Sequence, residues 1–435
     1  MQLLHGREHE RIRVPADAVV ARSEILFGGI AEKCCLSLTG DGESRYLQPG
    51  YYVGADWLQP GELAVHVQPK LNGSQHSVNH LQMLFDCLKQ PELSGFVGRL
   101  YQLDVSAPFI ALPRRDDLLT PLLVGHFLHL LQEVVRQGLK KGYNPVAREL
   151  RGRVKGKLDI GQTLRRGEFR QRPLAMACSY SEFSVDIPEN RLLKQALRFA
   201  RRYLGGFAGY GKTLEPLLRF CEPAFEAVRD EDVKHQAVAP AYNPLYRAYT
   251  DALRVGWLLL KRFGYSLLAV ESEESVTVHV PPHWIDMAYL FELYVLGLLR
   301  GQFGSKAILY GEAEAKGYYG LPDFLLPGPE PWIIDAKYKP AYQRDQYIID
   351  DIRQLSGYSR DEEVLAKLTV EPRSLETTVP SCLIIYPDRL DSRDLEIPDK
   401  KASVAIPGLG ELVNYKIKGF TRFYKLAVKL PGFGQ

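Results

Sequence analysis

The sequence predicts an α+β protein built from a small β-rich N-terminal domain, a helical middle region and a C-terminal α/β domain. Three observations carry that expectation. Short β-branched or alternating runs separated by turn signals occupy residues 14–71, and apolar residues at three-to-four spacing recur between residues 118 and 263. From about Ser275 the pattern becomes strand, helix, strand, strand, helix, strand. The corresponding boundaries are 1–117, 118–265 and 266–435.

In the first region, Leu63-Ala64-Val65-His66-Val67 is a typical strand run, and Gly40-Asp41-Gly42 and Gln59-Pro60-Gly61 are the turns between such runs. After Pro69-Lys70-Leu71-Asn72-Gly73 the segment from Val78 to Leu88 recovers a helical period, and a longer helix is expected from Leu118 to Lys140. Gly142 and Pro145 break that pattern. Three further helices follow, at Glu189 to Tyr203, Leu214 to Val228 and Leu245 to Phe263. There is no internal repeat and no low-complexity segment, which argues against a solenoid or a flexible tail.

Composition bounds the function classes. A chain of 435 residues, 46% hydrophobic, has the make-up of ordinary globular protein with room for two to four cores. No stretch approaches the roughly 18 uncharged apolar residues of a membrane span, and Met1-Gln2-Leu3-Leu4-His5-Gly6-Arg7 lacks a signal peptide's apolar run, so a cytoplasmic location is expected. The six cysteines form no CxxC pair and have no neighbouring histidines, so neither a zinc site nor a disulfide framework is indicated. The net charge of +3 is too small to identify a partner, but its distribution says more. Between Arg148 and Arg172 stand nine basic residues, including Arg151, Arg153, Lys155 and Lys157, against three acidic ones. Such a run neutralises phosphates and makes binding salt-dependent; a solvated face or a surface for an acidic protein is the alternative.

The chemistry concentrates near the C-terminal third. Pro322-Asp323 is followed twelve residues later by Asp335-Ala336-Lys337, on what read as neighbouring strands. Alternate residues of a strand share a face, so Asp335 and Lys337 project together with Cβ atoms roughly 6.6 Å apart, while Trp332, Ile334, Ala336 and Tyr338 take the opposite face. Phosphodiester hydrolysis needs a divalent ion to polarise the phosphoryl oxygen and to activate water, and hard Mg²⁺, with Mn²⁺ as a substitute, takes oxygen ligands. Asp323 and Asp335 would supply these, helped by the carbonyl of Ala336. Lys337 would orient the attacking water or stabilise the transition state.

Two helices flank this pattern. Between Met287 and Leu299, Glu292 is the only charged residue. A lone carboxylate in a buried helix is costly unless compensated, which makes Glu292 a third metal ligand or a supporting group. The alternative is a solvated stripe, or pairing with Arg300 or Lys306. Downstream, Tyr347, Asp351, Gln354 and Tyr358 fall on one helix face. Gln354 would hydrogen-bond the catalytic water or a phosphate, and Tyr358 would pack against the DNA backbone or the catalytic strand, unless the stripe only braces the helix against its sheet.

Gly206-Phe207-Ala208-Gly209-Tyr210-Gly211-Lys212-Thr213 satisfies the GxxxxGK(S/T) phosphate-loop pattern, yet it follows a basic amphipathic helix instead of a buried strand. A glycine-rich helix-to-helix loop accounts for it better. His66, His279 and His283 have no partner at metal spacing, and neither GxSxG nor HExxH occurs.

With these residues placed, the chain resembles the McrC family, the nuclease subunits of modified-cytosine restriction systems within the PD-(D/E)xK superfamily. The likeness runs through Gln68-Pro69-Lys70-Leu71, Gly138-Leu139-Lys140-Lys141-Gly142-Tyr143, Leu150-Arg151-Gly152-Arg153-Val154 and Gly156-Lys157-Leu158. It continues through Ser181 to Asp186, Glu189-Asn190-Arg191, Leu290-Phe291-Glu292, Pro322-Asp323, Asp335 to Lys339, and Gln354 with Tyr358. The resemblance implies a Mg²⁺-dependent endonuclease subunit with catalytic Asp323, Asp335, Lys337, Glu292 and Gln354. Arg151, Arg153, Lys155, Lys157, Lys339 and Tyr358 would face DNA. It further implies docking through the N-terminal region onto a separate McrB-like AAA+ GTPase hexamer, stimulation of its hydrolysis, and cutting of double-stranded, modified DNA that the motor translocates. The reader of the modified base would lie on that partner. Relative to compact members, extra sequence is expected before Leu118 and between Asp230 and Asn243. Two other readings remain: a non-cleaving regulatory clamp that activates the motor, and a freestanding RecB-like nuclease.

Overall fold

In the computed structural model, residues 1–40, 44–71, 78–88, 93–113, 117–170, 175–205, 208–230, 247–262, 277–339, 348–368, 379–388 and 416–431 are described. Contacts divide the chain into two compact units, Met1–Leu122 with Val276–Gln435, and Leu123–Ser275. The first and last of the three expected segments therefore fall in one unit, and the middle segment forms the other.

The N-terminal part of the first unit contains β1 (Gln2–Arg7), β2 (Ile12–Arg13), β3 (Glu24–Leu26), β4 (Cys34–Thr39), β5 (Tyr46–Pro49), β6 (Tyr52–Gln59) and β7 (Leu63–Gln68). Helices α1 (His80–Leu88) and α2 (Ser94–Val97) follow, then β8 (Tyr101–Leu103) and β9 (Ile110–Pro113). Strands β2, β5, β4 and β3 form a four-stranded sheet. Ile12, Leu36, Leu47, Leu58 and Val65 are buried together in the core of this part. Both faces of β6 and β7 are buried, which is why their sequences are apolar almost throughout.

The second unit holds most of α3 (Leu119–Gln137), then β10 (Gly142–Arg151), β11 (Lys157–Leu158), α4 (Ile160–Arg170), β12 (Ala175–Ser184), α5 (Pro188–Gly205), α6 (Ala208–Cys221) and α7 (Arg247–Arg262). The expected helices are present. The region is not helical throughout, however: β10, β12 and β11 form an antiparallel sheet whose long strands pair from Gly142↔Ser184 to Arg151↔Ala175. Much of β10 is exposed, so it carries no apolar alternation to announce it. The Asp186, Asn190 and Arg191 cluster is a structural clamp. Asn190 Nδ2 donates to the carbonyls of Lys140 and Val185, and Arg191 Nε pairs with Asp186 Oδ1 at 2.8 Å. The Arg191 side chain leads the groups that hold the Asp186 carboxyl below its usual range. In the phosphate-loop lookalike, α5 ends at Gly205 and α6 begins at Ala208, with residues 206–207 outside the described set, so Ala208 to Thr213 belong to the first turns of α6 and not to the loop expected for them.

The chain returns to the first unit with β13 (Thr277–Val280), β14 (His283–Asp286), α8 (Met287–Phe303), β15 (Leu309–Tyr310), α9 (Glu312–Ala315), β16 (Phe324–Leu326) and β17 (Trp332–Ala336). It closes with α10 (Ile349–Tyr358), α11 (Glu362–Leu368), β18 (Ser381–Pro387) and β19 (Phe423–Val428). The expected strand and helix order appears as β14, α8, β16, β17, α10 and β18. Strand β14 lies between β6 and β8, completing the N-terminal sheet β1-β7-β6-β14-β8, and β13 pairs with β9. The C-terminal sheet runs β15-β16-β17-β18-β19, antiparallel through β17 and parallel beyond it. Ile333 and Leu325 on one face pack with Ile352, Leu355 and Val364 of α10 and α11. On the other face, Phe291 of α8 meets Tyr338 with ring centroids 5.9 Å apart. Among the described residues, no helix is long and apolar enough to cross a membrane.

Candidate active site

The two acidic positions meet because of strand register. Phe324 pairs with Ile334 and Leu325 with Ile333, so one more step along the antiparallel ladder sets Asp323 across from Asp335. The Ala336 N–H donates to Asp323 Oδ2 at 2.8 Å, pinning the two strand ends together. Asp335 shares its face with Ile333 and looks toward α10, while Asp323 lies partly open at the strand end.

Lys337 Nζ lies 2.8 Å from Asp335 Oδ2 in an ion pair and donates to Gln354 Oε1 at 3.1 Å. The approach to Asp335 is poorly aligned, so that buried oxygen keeps no hydrogen bond of good geometry. Gln354 Nε2 in turn donates to the Tyr358 hydroxyl at 2.9 Å, which fixes the amide with its oxygen toward Lys337. Tyr358 is buried in the core with Ile333 of β17, one of the two placements its helix position allows. Lys339 Nζ pairs with both oxygens of the buried Asp351, at 3.1 and 3.2 Å. Tyr347 lies outside the described residues.

Glu292 extends the acidic cluster from α8. Burial, followed by the charges of Asp286 and Asp335, pushes its carboxyl up to about 7, against a hydrogen bond from the Tyr310 hydroxyl. Burial also raises Asp323 well above the usual carboxylate range, with Asp335 and Glu292 adding to the effect. Asp335 rises for the same first reason, opposed by Lys337. Burial alone would depress the Lys337 ammonium, but Asp335 and Asp323 hold it above its ordinary value. Three carboxyl groups that disfavour one another's ionisation, with one buried oxygen lacking an aligned donor, form a site that a cation would relieve.

The donor set fits a hard divalent ion. All the candidate ligands are oxygens, and among the described residues no group of three or more His, Cys, Asp or Glu side chains is placed to hold a metal ion, so the fit rests on Asp323 and Asp335 as a pair. Mg²⁺ commonly binds through one or two carboxylates and keeps several waters, so Asp323 and Asp335 would hold it with Glu292 beside them. One consequence concerns pH. Glu292 holds its proton up to about pH 7 in the fold but ionises near pH 4.5 when unfolded, so its contribution to stability is present at low pH and lost as pH rises through 7. Without divalent ions, Glu292→Gln is therefore expected to gain melting temperature relative to the parent as pH rises across this window, and added Mg²⁺ should stabilise the parent more on the alkaline side. The slope left in that variant sums the other shifted groups, with Glu8, Asp323 and Asp335 raised and the buried imidazoles of His66, His80 and His126 lowered. Thermal melts across pH check this, and an unchanged slope in Glu292→Gln would remove Glu292 from the role.

Other residues join the site without a signal in sequence. A cavity of about 250 Å³ beside Glu292 and Asp323 is also lined by Lys33, Arg99, Tyr289 and Tyr310. Just past the end of β17, Lys70 Nζ donates to the Tyr338 carbonyl at 2.9 Å and sits over the rings of Tyr338 and Tyr51. Glu8 Oε2 accepts from the Lys70 N–H at 3.0 Å and lies 3.4 Å from the Tyr338 hydroxyl. A larger cavity of about 500 Å³ lies among the N-terminal strands, but its Asp56 carboxylate is engaged by the Trp57 N–H and Trp284 Nε1–H. That carboxylate belongs to the scaffold.

The basic residues Arg151, Arg153, Lys155 and Lys157 are all exposed in the second unit, from the end of β10 to the start of β11. Lys155 Nζ sits 4.2 Å from the centre of the Tyr180 ring. Arg172 lies outside the described residues.

Comparisons with known proteins bear on the whole chain. Two solved assemblies from Thermococcus gammatolerans contain similar chains. One is a half-complex of a tetradecameric assembly of McrB AAA+ hexamers with bound McrC, at 15% identity, covering 90% of this chain and 80% of that one, with a TM-score of 0.37. The other is a McrBC complex, at 15% identity, 68% and 87% coverage and a TM-score of 0.30. No curated protein matches the sequence. A sequence profile described as the McrBC 5-methylcytosine restriction system component matches residues 47–366, well over half of the chain and inclusive of Glu292, Asp323, Asp335, Lys337 and Gln354. On that match, the chain belongs to the McrBC restriction system component family.

Proposed function

We propose that this chain is the Mg²⁺-dependent DNA endonuclease subunit of a modification-dependent restriction system. It cuts double-stranded DNA when activated by a McrB-like AAA+ GTPase hexamer, and it stimulates that GTPase. The observation that carries the reading is the continuous relay Asp335, Lys337, Gln354, Tyr358 standing beside Asp323.

Each residue has a physical task. Lys337 has three donors. Asp335 and Gln354 engage two directions and leave the third for a phosphoryl oxygen or the attacking water. Gln354, fixed by Tyr358, keeps the ammonium aimed, and the Asp323 contact to the Ala336 N–H keeps the two carboxylates opposed. A bound Mg²⁺ would supply Lewis-acid polarisation and a more acidic water. Exposed Arg151, Arg153, Lys155 and Lys157 supply charge for phosphate contacts, which would make DNA affinity fall steeply with salt.

The test is direct. The purified chain with its partner GTPase, GTP and Mg²⁺ should nick or cut duplex DNA bearing modified cytosine, and EDTA should stop it. Cutting that needs no motor would make the chain a freestanding nuclease. Stimulated GTP hydrolysis with intact DNA under every substrate condition would leave only the regulatory clamp.

A further inference from the structure

The turn that leads into Asp323 carries two tyrosines the chemistry above does not use. Tyr318 is 70% and Tyr319 94% exposed, which for adjacent aromatic residues means two rings left almost wholly in solvent. The turn beneath them is heavily constrained. The Gly317 N–H donates to the Gly320 carbonyl at 2.8 Å, closing it, and the Lys316 carbonyl accepts from Lys367 Nζ. Asp361, only 7% exposed, accepts from the Tyr319 N–H at 3.1 Å and from the N–H groups of Glu363 and Val364. Burial would raise that carboxyl, yet its backbone hydrogen bonds, with Tyr319 first and Tyr318 next, hold it below the ordinary range.

Both flanking glycines are required by close approach. A Cβ on Gly317 would stand 2.7 Å from Asp361 Oδ2, and one on Gly320 would stand 2.6 Å from Tyr358 Cε1. The turn is therefore seated directly on Tyr358, the far end of the relay from Lys337. The sequence then runs Gly320-Leu321-Pro322-Asp323, so the Tyr319 Cα lies no more than about 14 Å from that of Asp323. At roughly 3.4 Å of rise per base, this is within about four nucleotides of a phosphate bound at the carboxylates.

Rings that stand exposed on a backbone turn held by these hydrogen bonds, beside the proposed phosphodiester site, fit nucleobases there. We propose that Tyr318 and Tyr319 form a stacking platform for bases of the substrate strand flanking the scissile phosphate, an inference that rests on the nuclease reading. Tyrosine suits this: its face stacks on any base, it loses little rotamer freedom, and its contact is insensitive to sequence, in keeping with a subunit that cuts without reading the site.

The experiment measures affinity separately from cutting. On an Asp335→Ala background, fluorescence anisotropy with a fluorescein-labelled methylated duplex in Mg²⁺ compares the parent with the Tyr318→Ala/Tyr319→Ala pair and the Tyr318→Phe/Tyr319→Phe pair. Alanine is expected to weaken binding about tenfold or more, given that stacking on one base is worth roughly 1–3 kcal/mol. Phenylalanine should retain the affinity, and the dependence on salt should keep its slope because no phosphate contact is lost. The melting temperature should not move, since both rings are exposed. Equal affinity in the alanine pair overturns the platform while leaving the nuclease reading intact. The same equality with lost GTPase stimulation would assign the tyrosines to the motor protein. A phenylalanine pair as weak as the alanine pair would make the hydroxyls, not the rings, the binding groups and overturn stacking. The titrations are run with the partner GTPase and GTP present, and a parent that binds no DNA in that complex removes both readings.

Discussion

Asp335→Ala is expected to abolish DNA cleavage while leaving stimulation of the partner GTPase intact. Asp335 is a buried carboxylate opposite Asp323, and it is the counter-charge of Lys337. Its removal takes away a proposed metal ligand and frees Lys337 to lean on Asp323, so two of the proposed tasks fail at once. Losing even about 4 kcal/mol of metal-derived stabilisation corresponds to roughly a thousandfold in rate. Single-turnover cleavage with the motor present measures it, alongside GTP turnover as a check that the variant folds and docks. Cutting at the parental rate would refute the assignment of this carboxylate. Lost cutting together with lost stimulation would mean the substitution had damaged the fold.

Lys70→Met is expected to lower stability more than any surface substitution in the chain. The variant keeps a flexible apolar stem but removes the donor to the Tyr338 carbonyl, the cation over two tyrosine rings, and the charge beside buried Glu8. Breaking a buried pair by deleting one partner costs about 3–5 kcal/mol. Glu8 limits the loss by taking up a proton, because burial already pushes it up to about 7. A net cost of about 2–4 kcal/mol follows. Adding Glu8→Gln should recover part of the loss, and a double-mutant cycle by chemical denaturation reads the coupling. Strict additivity of the two substitutions would mean that Glu8 and Lys70 do not act as a pair.

The juxtaposition of Asp323, Asp335 and Lys337 was legible in the sequence because it depends only on strand alternation and a short turn, both local rules. The Gln354 and Tyr358 stripe was legible for the same reason, since four residues on a helix return to one face. Glu292 stood out by its isolation in an apolar helix. What sequence did not reveal is non-local or polar. Glu8 and Lys70 reach Tyr338 across more than 260 residues, a separation that leaves no periodic trace. Strand β10 exposes Tyr143, Pro145 and Ala147 and so lacks the alternation that identifies a half-buried strand. Strand β14 read as part of the C-terminal fold because it adjoins α8 in sequence, whereas its hydrogen bonds run to β6 and β8.

The pairing of β9 with β13 has a practical corollary. Pro113 is the register partner of Thr277, so the last strand before the second unit and the first strand after it are neighbours in one antiparallel ladder of the first unit. In topological terms, everything between them is a domain-sized insert at the tip of a hairpin. Joining Pro113 to Thr277 through a two-residue Asn-Gly turn would restore an ordinary β-hairpin. The resulting polypeptide would keep every strand of the C-terminal sheet and the β14 strand that the N-terminal sheet borrows, whereas residues 1–122 expressed alone would leave β6 and β8 as unprotected edges open to aggregation. A minimal form of this protein that keeps the Asp323 and Asp335 sheet intact is therefore obtained by excision from the middle, not by trimming from either end.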